Sequence, residues 1–185
     1  QDPLLAQPVT VTARKVEGDP LAGALLLAKL IDVELPEYSY LETSGIISEI
    51  LITQLSASGT GQVWLTPGNY EFQCVSPEYA YFLRQNCTVG ERPQDFFLLP
   101  KAEDVARVSL PEGDFLQIGI QLRDEQAGAF IGFDSIPGDR VLTVTPGRYT
   151  ALIDTIRRDL NNYDWYLERL TPPFDLQKGE IHEIS

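Results

Sequence analysis

Few side chains in this sequence are of the types that carry out chemistry. There are two cysteines, Cys74 and Cys87, and a single histidine, His182. Two thiols and one distant imidazole are too few ligands for a tetrahedral zinc site. A thiol nucleophile needs an adjacent base, and a general base needs an ordered partner. The spacing of these three residues indicates no base beside a thiol and no partner for the histidine. The sequence therefore predicts no catalytic residue, no metal site and no cofactor.

The two cysteines instead predict a covalent cross-link. Cys74 and Cys87 lie in two strand-like segments, 13 positions apart. A disulfide that closes a loop of this size stabilises a protein by about 3 kcal/mol. We expect a Cys74–Cys87 disulfide, with two buried free thiols as the alternative. Disulfides form in oxidising compartments, and the sequence begins at Gln1 rather than at Met. A secreted, periplasmic or cell-surface location is therefore expected, although a trimmed chain would begin in the same way.

Acidic residues dominate the charge of the chain. There are 27 Asp and Glu against 14 Lys and Arg, a net charge of −13. This charge repels phosphate backbones and anionic lipids, so nucleic-acid binding is not expected. No apolar run reaches the roughly 18–20 residues that cross a bilayer, so no membrane insertion is expected. Calcium binding at two acidic corners stays open as an alternative, the residues being Glu17, Asp19, Asp124 and Glu125.

A repeated six-residue segment predicts the architecture. "LTPGNY" at 65–70 and "VTPGRY" at 144–149 each follow an alternating apolar segment and precede a strand-like one. Pro sets φ for the second position of a type II turn, and Gly supplies the positive φ of the third. Each copy is therefore predicted to be strand, tight turn, strand. "LAGALLL" (21–27) and "QAGAFIG" (126–132) form a second, weaker repeat upstream of it.

Closely spaced strands with turn signals indicate an all-β fold made of antiparallel β-sandwiches. Because the order of segments occurs twice, we expect two tandem domains, residues 1–103 and 104–185, joined by a linker that ends around 103–110. A single larger sandwich is the alternative. The first copy has an acidic insertion at 31–57. The end of this insertion fits a helix that starts at Thr43 or Ser44, or an extra strand in "EILITQL", and both stay open.

Two segments of the first half resemble a known family. "VTARKVEGDPLAGALLLAKL" (11–30) followed by "GTGQVWLTPGNYEFQC" (59–74) is similar to the Cna-B and carboxypeptidase-regulatory-like group of transthyretin-like β-sandwiches. The resemblance covers residues 9–100, and the second half keeps only "AGA" and "TPGRY". It implies an Ig- or transthyretin-like sandwich and a non-catalytic role as a spacer or adhesive unit in secreted and surface proteins.

Exposed aromatic and charged residues are the candidate partner-binding groups, because Tyr and Trp are favoured anchors at interfaces. One set lies in the acidic insertion and the other in the tract 157–166. The set in the insertion is Glu34, Glu37, Tyr38, Tyr40 and Glu42, and the set in the tract is Arg157, Arg158, Tyr163 and Trp165.

Three functions follow as hypotheses. The first is a non-catalytic secreted or surface module that binds another protein or a surface assembly. The second is an acidic inhibitor or immunity-type protein that binds a basic partner, steered by its net charge. The third is an enzyme that uses a pair of carboxylates, although the spacing of the Asp and Glu residues does not indicate which two would form that pair. A small-molecule substrate is not expected.

Overall fold

The computed structural model describes residues 6–31, 51–110, 117–124, 130–134, 141–158 and 164–184. Within these residues the chain is an all-β sandwich fold, as the alternating apolar pattern predicts, with two single-turn 3-10 helices, Pro77–Tyr79 and Ala102–Asp104. The strands are β1 Gln7–Ala13, β2 Leu25–Leu30, β3 Leu51–Gln54, β4 Thr60–Leu65, β5 Gly68–Ser76, β6 Tyr81–Val89, β7 Gln94–Leu98, β8 Ala106–Ser109, β9 Gln117–Asp124, β10 Phe130–Asp134, β11 Val141–Val144, β12 Gly147–Arg158, β13 Asp164–Leu170, β14 Phe174–Leu176 and β15 Ile181–Glu183.

The chain divides into two compact units. The first comprises Gln1–Val75 and Leu83–Leu99, and the second comprises Ser76–Phe82 and Pro100–Ser185. The division into two independently folding domains at 103/104 stays a prediction.

In the first unit two sheets enclose a core. The central strand β1 pairs antiparallel with β4 and parallel with β7, and in the other sheet β2 lies between β3 and β5. The alternation of β1 buries Val9, Val11 and Ala13 completely. Phe96 of one sheet meets Phe72 of the other edge to face at 4.9 Å between ring centroids, a favourable geometry for aromatic pairs.

The second unit repeats this pattern of pairing. Its central strand β8 pairs antiparallel with β11 and parallel with β15. Its other sheet has the order β10-β9-β12-β13, and β14 also pairs with β12. Tyr149, Ala151, Ile120 and Leu142 are fully buried in its core. The strand order around β8 and β9 therefore corresponds to the order around β1 and β2.

The repeated TPGxY segment lies where the chain leaves one sheet for the other. β4 and β5 belong to different sheets, and so do β11 and β12. The prediction of a type II turn is wrong here, because Gly68 has a φ of 157° instead of the roughly +80° of that turn. In both copies the Tyr hydroxyl reaches back to the Thr of its own segment. Tyr70 Oη lies 3.0 Å from Thr66 Oγ1, and Tyr149 donates to the Thr145 carbonyl at 2.5 Å.

The segment between β7 and β8 ends at residue 105, within the range of 103–110 predicted for the end of the linker, but the strand that follows it was not predicted. Residues 106–109 form β8, the central strand of a sheet, and Ala106 and Val108 are fully buried. The sequence did not predict β8, because this strand has only four residues and follows Pro100 and a charge cluster. Since β8 corresponds to β1, strand β9 corresponds to β2, and β10 corresponds to β3. The predicted match of "LAGALLL" with "QAGAFIG", which are at β2 and β10, is therefore wrong by one strand. The match of the two TPGxY segments is unaffected, because β4 corresponds to β11 and β5 to β12.

The end of the acidic insertion is a strand. Residues 51–54 form β3, which pairs with β2, so for these residues the β-branched pattern of "EILITQL" decides over the helical one. β3 corresponds to β10 of the second unit. The extra length of the first copy therefore lies between β2 and β3, over residues 31–50, most of which lie outside the described residues.

The predicted disulfide is wrong, since both thiols are free and buried. Thr88 donates to Asn69 Oδ1 at 2.7 Å, which places Thr88 beside Asn69 on the neighbouring strands β6 and β5. Cys87 therefore lies beside Tyr70, four positions along β5 from Cys74. At about 3.3 Å per residue the two are about 13 Å apart, well beyond the roughly 7 Å between Cα atoms that a disulfide spans. Burial raises the pKa of Cys74 to about 12 and that of Cys87 to about 11.

Candidate functional site

Strand β13 is the open edge of a sheet in the second unit. It pairs antiparallel with β12, from Leu152 opposite Leu170 to Arg158 opposite Asp164. Among the described residues nothing pairs with its other side. At its end the register with β12 shifts by one residue, since Tyr149 lies opposite Phe174. Thr171 still bonds Ala151, so Pro172 and Pro173 together lie opposite Thr150 and form a β-bulge. The two prolines end the edge because they have no N–H to donate.

The direction of the backbone groups of β13 follows from one hydrogen bond. Thr171 donates its N–H to the Ala151 carbonyl at 2.8 Å, and the Ala151 N–H donates to Thr171 Oγ1 at 3.0 Å, so the N–H of Thr171 faces β12, as in a directly hydrogen-bonded pair. Such pairs alternate with non-bonded pairs along an antiparallel ladder. The N–H and C=O groups of Tyr166, Glu168 and Leu170 therefore point away from β12, along the open edge. They can accept an additional strand.

The side chains of β13 are exposed on both faces. Tyr166 and Leu170 on one face are 62% and 59% exposed, and Leu167 on the other face is 60% exposed. Single exposed apolar residues are common on protein surfaces, and here three lie within five positions of one edge strand. Native edge strands usually carry features that limit non-specific pairing, and charged side chains are one of them. On β13 these are Asp164, Glu168 and Arg169, which lie among the exposed apolar residues.

Tyr166 joins two carboxylates that lie opposite each other. Asp154 of β12 is the cross-strand neighbour of Glu168, an arrangement that destabilises a sheet when nothing offsets the repulsion. The Tyr166 hydroxyl lies 3.2 Å from Asp154 Oδ1 and 3.0 Å from Glu168 Oε2 and donates its proton to this pair. The hydrogen bond to Glu168, burial of the hydroxyl and the nearby Asp154 charge raise the pKa of Tyr166 to about 12. This face is thus acidic beside an exposed aromatic ring.

A cleft of about 360 Å³ lies at the C-terminal end of β13. Its floor includes Phe174 and His182, whose rings are stacked in parallel with centroids 4.2 Å apart. His182 thus lies in strand β15 and stacks on the ring of Phe174. The remaining lining residues are Arg169, Leu170, Thr171, Pro172, Pro173, Glu183 and Ile184. With apolar walls and one charge of each sign, the cleft can take a bulky side chain of a bound segment.

The residues predicted in the tract 157–166 lie in or near this hairpin. Arg157 is paired with Trp165 in the β12–β13 ladder, and Arg158 is paired with Asp164. Tyr163 lies outside the described residues. Residues 157–158 and 164–166 of the tract thus belong to the two strands, and residues 159–163 lie outside the described residues. Sequence reasoning missed Tyr166, Leu167, Glu168 and Asp154 as candidate residues, although the alternating "DWYLERL" was a signal for the strand.

Six other predicted residues cannot be compared with this site, because the structure does not describe them. Glu34, Glu37, Tyr38, Tyr40 and Glu42 lie outside the described residues, as does Glu125 of the calcium alternative. The described part of the chain contains no group of three His, Cys, Asp or Glu side chains that could hold a metal ion. Over the same residues, no helix has both the length and the apolar character to cross a membrane.

Comparison with known proteins gives similarity at the level of structure only. No protein-family model matches the sequence, and no curated protein does. Among solved structures, a leucine-rich repeat protein from Bacteroides thetaiotaomicron (8% identity, TM-score 0.33) and the TIE protein of Bacillus anthracis (12%, 0.38) each match over 97% of this chain. The chain spans only 26% and 33% of these two proteins.

The shaft pilin SpaA of Lactobacillus rhamnosus GG matches over 97% of this chain and 98% of its own length, with 10% identity and a TM-score of 0.37. At these scores the likeness carries no argument about function. What the chain does is therefore argued from its own residues.

Proposed function

We propose that this chain is a non-catalytic binding module of the cell surface or secreted space, and that it binds a partner protein by adding an extended segment of it to β13. The observation that carries the proposal is the open edge of β13, where outward backbone groups and the exposed Tyr166, Leu167 and Leu170 occur together. In strand addition the backbone hydrogen bonds supply affinity, and pockets for alternate side chains supply specificity.

The charge around β13 favours a basic segment. Asp154 and Glu168 lie on one face beside the Tyr166 ring, where an arginine of the partner can stack on the ring and bridge both carboxylates. A second copy of this chain fits less well, because two molecules of net charge −13 repel each other. The cleft beside Phe174 is positioned to take one apolar side chain of the same segment.

The experiment uses the immobilised full chain and a displayed library of random peptides. We expect selection of peptides that alternate apolar residues with Lys or Arg. Glu168→Pro removes an outward N–H without removing a bond to β12, so it should weaken the selected peptides about tenfold or more. Glu168→Gln keeps that N–H and removes only the charge, so it should cost less.

Two further measurements keep the result interpretable. Urea unfolding of each variant reports whether β13 is still folded. Leu167→Ser, at a side chain that is 60% exposed, should weaken binding without altering the urea midpoint. Peptides that bind Glu168→Pro as tightly as the unmodified chain would refute strand addition.

A second candidate function is the inhibition of a basic partner, and the Asp154–Glu168 pair favours it. In that case attraction between charges contributes most of the affinity, so binding falls steeply with salt. Glu168→Gln and Glu168→Pro should then weaken binding equally. A larger loss for Glu168→Pro identifies the first function.

A further inference from the structure

A second surface of the chain has a different chemistry, the outer face of the sheet β4-β1-β7 in the first unit. Its side chains alternate with the buried ones, so the face is defined by Pro8, Thr10 and Thr12 of β1, Thr60, Gln62 and Trp64 of β4, and Asp95 and Phe97 of β7. Trp64 is 60% exposed and Phe97 is 53% exposed.

The register places the two rings at opposite corners of this face. Trp64 lies beside Pro8, and Phe97 lies on the other side of β1, beside Thr12. Four residues along β1 and two strand spacings across it separate the Cα atoms of Trp64 and Phe97 by about 16 Å. The residues between them are Thr10, Gln62 and Asp95 in one row and Thr12 and Thr60 in the next.

The polar groups between the rings are mainly uncharged. The hydroxyls of Thr12 and Thr60 lie 3.3 Å apart, and hydroxyl and amide groups both donate and accept hydrogen bonds. Among the eight described residues that define this face, Asp95 is the only ionisable one, although the chain as a whole carries 27 acidic residues. A face so poor in charge does not favour a strongly charged partner.

We propose that this face binds a neutral oligosaccharide that extends from Trp64 to Phe97. Aromatic rings pack against the apolar C–H faces of sugar rings, while the threonine and glutamine side chains and Asp95 bond the sugar hydroxyls. The distance of about 16 Å between the two Cα atoms is too long for a single sugar, so contact with both rings requires a chain of linked sugars. This activity is separate from the partner binding of β13, and either one can fail without the other.

The test uses an array of neutral and acidic oligosaccharides, followed by native gels cast with a neutral polysaccharide such as mannan or xylan. We expect retention on neutral chains only. Trp64→Ala and Phe97→Ala should each weaken binding about tenfold or more. Ile52→Ala is the matched control, since Ile52 is an equally exposed apolar residue (65%) on β3, and it should bind unchanged.

A spectroscopic readout tests stacking directly. The chain has two tryptophans, Trp64 and Trp165, so Trp165→Phe leaves Trp64 as the single reporter. Addition of the selected oligosaccharide should shift its emission, and Thr12→Val should reduce affinity while keeping that shift. The proposal is overturned if no oligosaccharide binds, if Trp64→Ala binds as well as the unmodified chain, or if Trp64→Ala abolishes only binding to a protein.

Discussion

The Tyr hydroxyl of the TPGxY segment should contribute measurably to stability, and more in the second copy than in the first. Tyr149 is fully buried and donates to the Thr145 carbonyl at 2.5 Å. Tyr149→Phe keeps the ring and removes only this donor. The partner is a backbone carbonyl, whose position is fixed, and loss of a donor to such a group costs about 1–3 kcal/mol where water cannot replace it. The matched change, Tyr70→Phe, should cost about 1 kcal/mol or less, because the Thr66 hydroxyl can rotate and bond another partner or water.

Urea unfolding followed by circular dichroism measures both variants. With a slope of about 1–3 kcal/mol per M, Tyr149→Phe should lower the midpoint by about 1 M and Tyr70→Phe by less. Tyr149→Leu is a control in which both the hydroxyl and the ring packing against Phe82, at 6.5 Å between centroids, are lost, and it should cost more. A midpoint for Tyr149→Phe equal to that of the unmodified chain would show that the hydroxyl does not hold the crossing between the sheets.

Two further predictions concern the first unit. Because Cys74 and Cys87 are buried free thiols, both should react with a thiol reagent only after unfolding. A reductant should leave the melting temperature unchanged. One disulfide per chain in mass spectra would contradict this prediction. Gly59 has a φ of 71°, and an added Cβ would lie 2.6 Å from the Ala13 carbonyl oxygen, so Gly59→Ala should cost about 2 kcal/mol or more. Gly18→Ala, at φ 98° in open space, should cost only about 1 kcal/mol in thermal unfolding.

Local pattern was sufficient to predict most strands. The alternation in β1, β4 and β7 reports directly which side chains face the core, because successive residues of a strand point to opposite faces. The repeat of TPGxY correctly marked two places where one strand ends and another begins. It did not reveal that the two strands belong to different sheets. The same turn residues occur in a hairpin within one sheet and in a connection between two sheets.

The errors occurred where the outcome depends on pairing between distant residues. β8 has only four residues beside a charge cluster, and its burial comes from β11 and β15, 32 or more positions away. The disulfide prediction failed for the same reason, because the offset between β5 and β6 sets the distance between Cys74 and Cys87. The candidate site was found only in part, since exposure of Tyr166 and Leu167 depends on β13 being at an edge.

The sequence by itself determined the all-β class, the strand-forming segments, the acidic charge and the two copies of TPGxY, because these depend on composition and on contacts between near neighbours in the chain. Tertiary structure alone decided which strands pair, which of them lies at an edge, and which side chains share a face. Those outcomes depend on registers between segments that lie far apart in the chain, and a shift of one residue in a register moves every side chain of a strand to the opposite face.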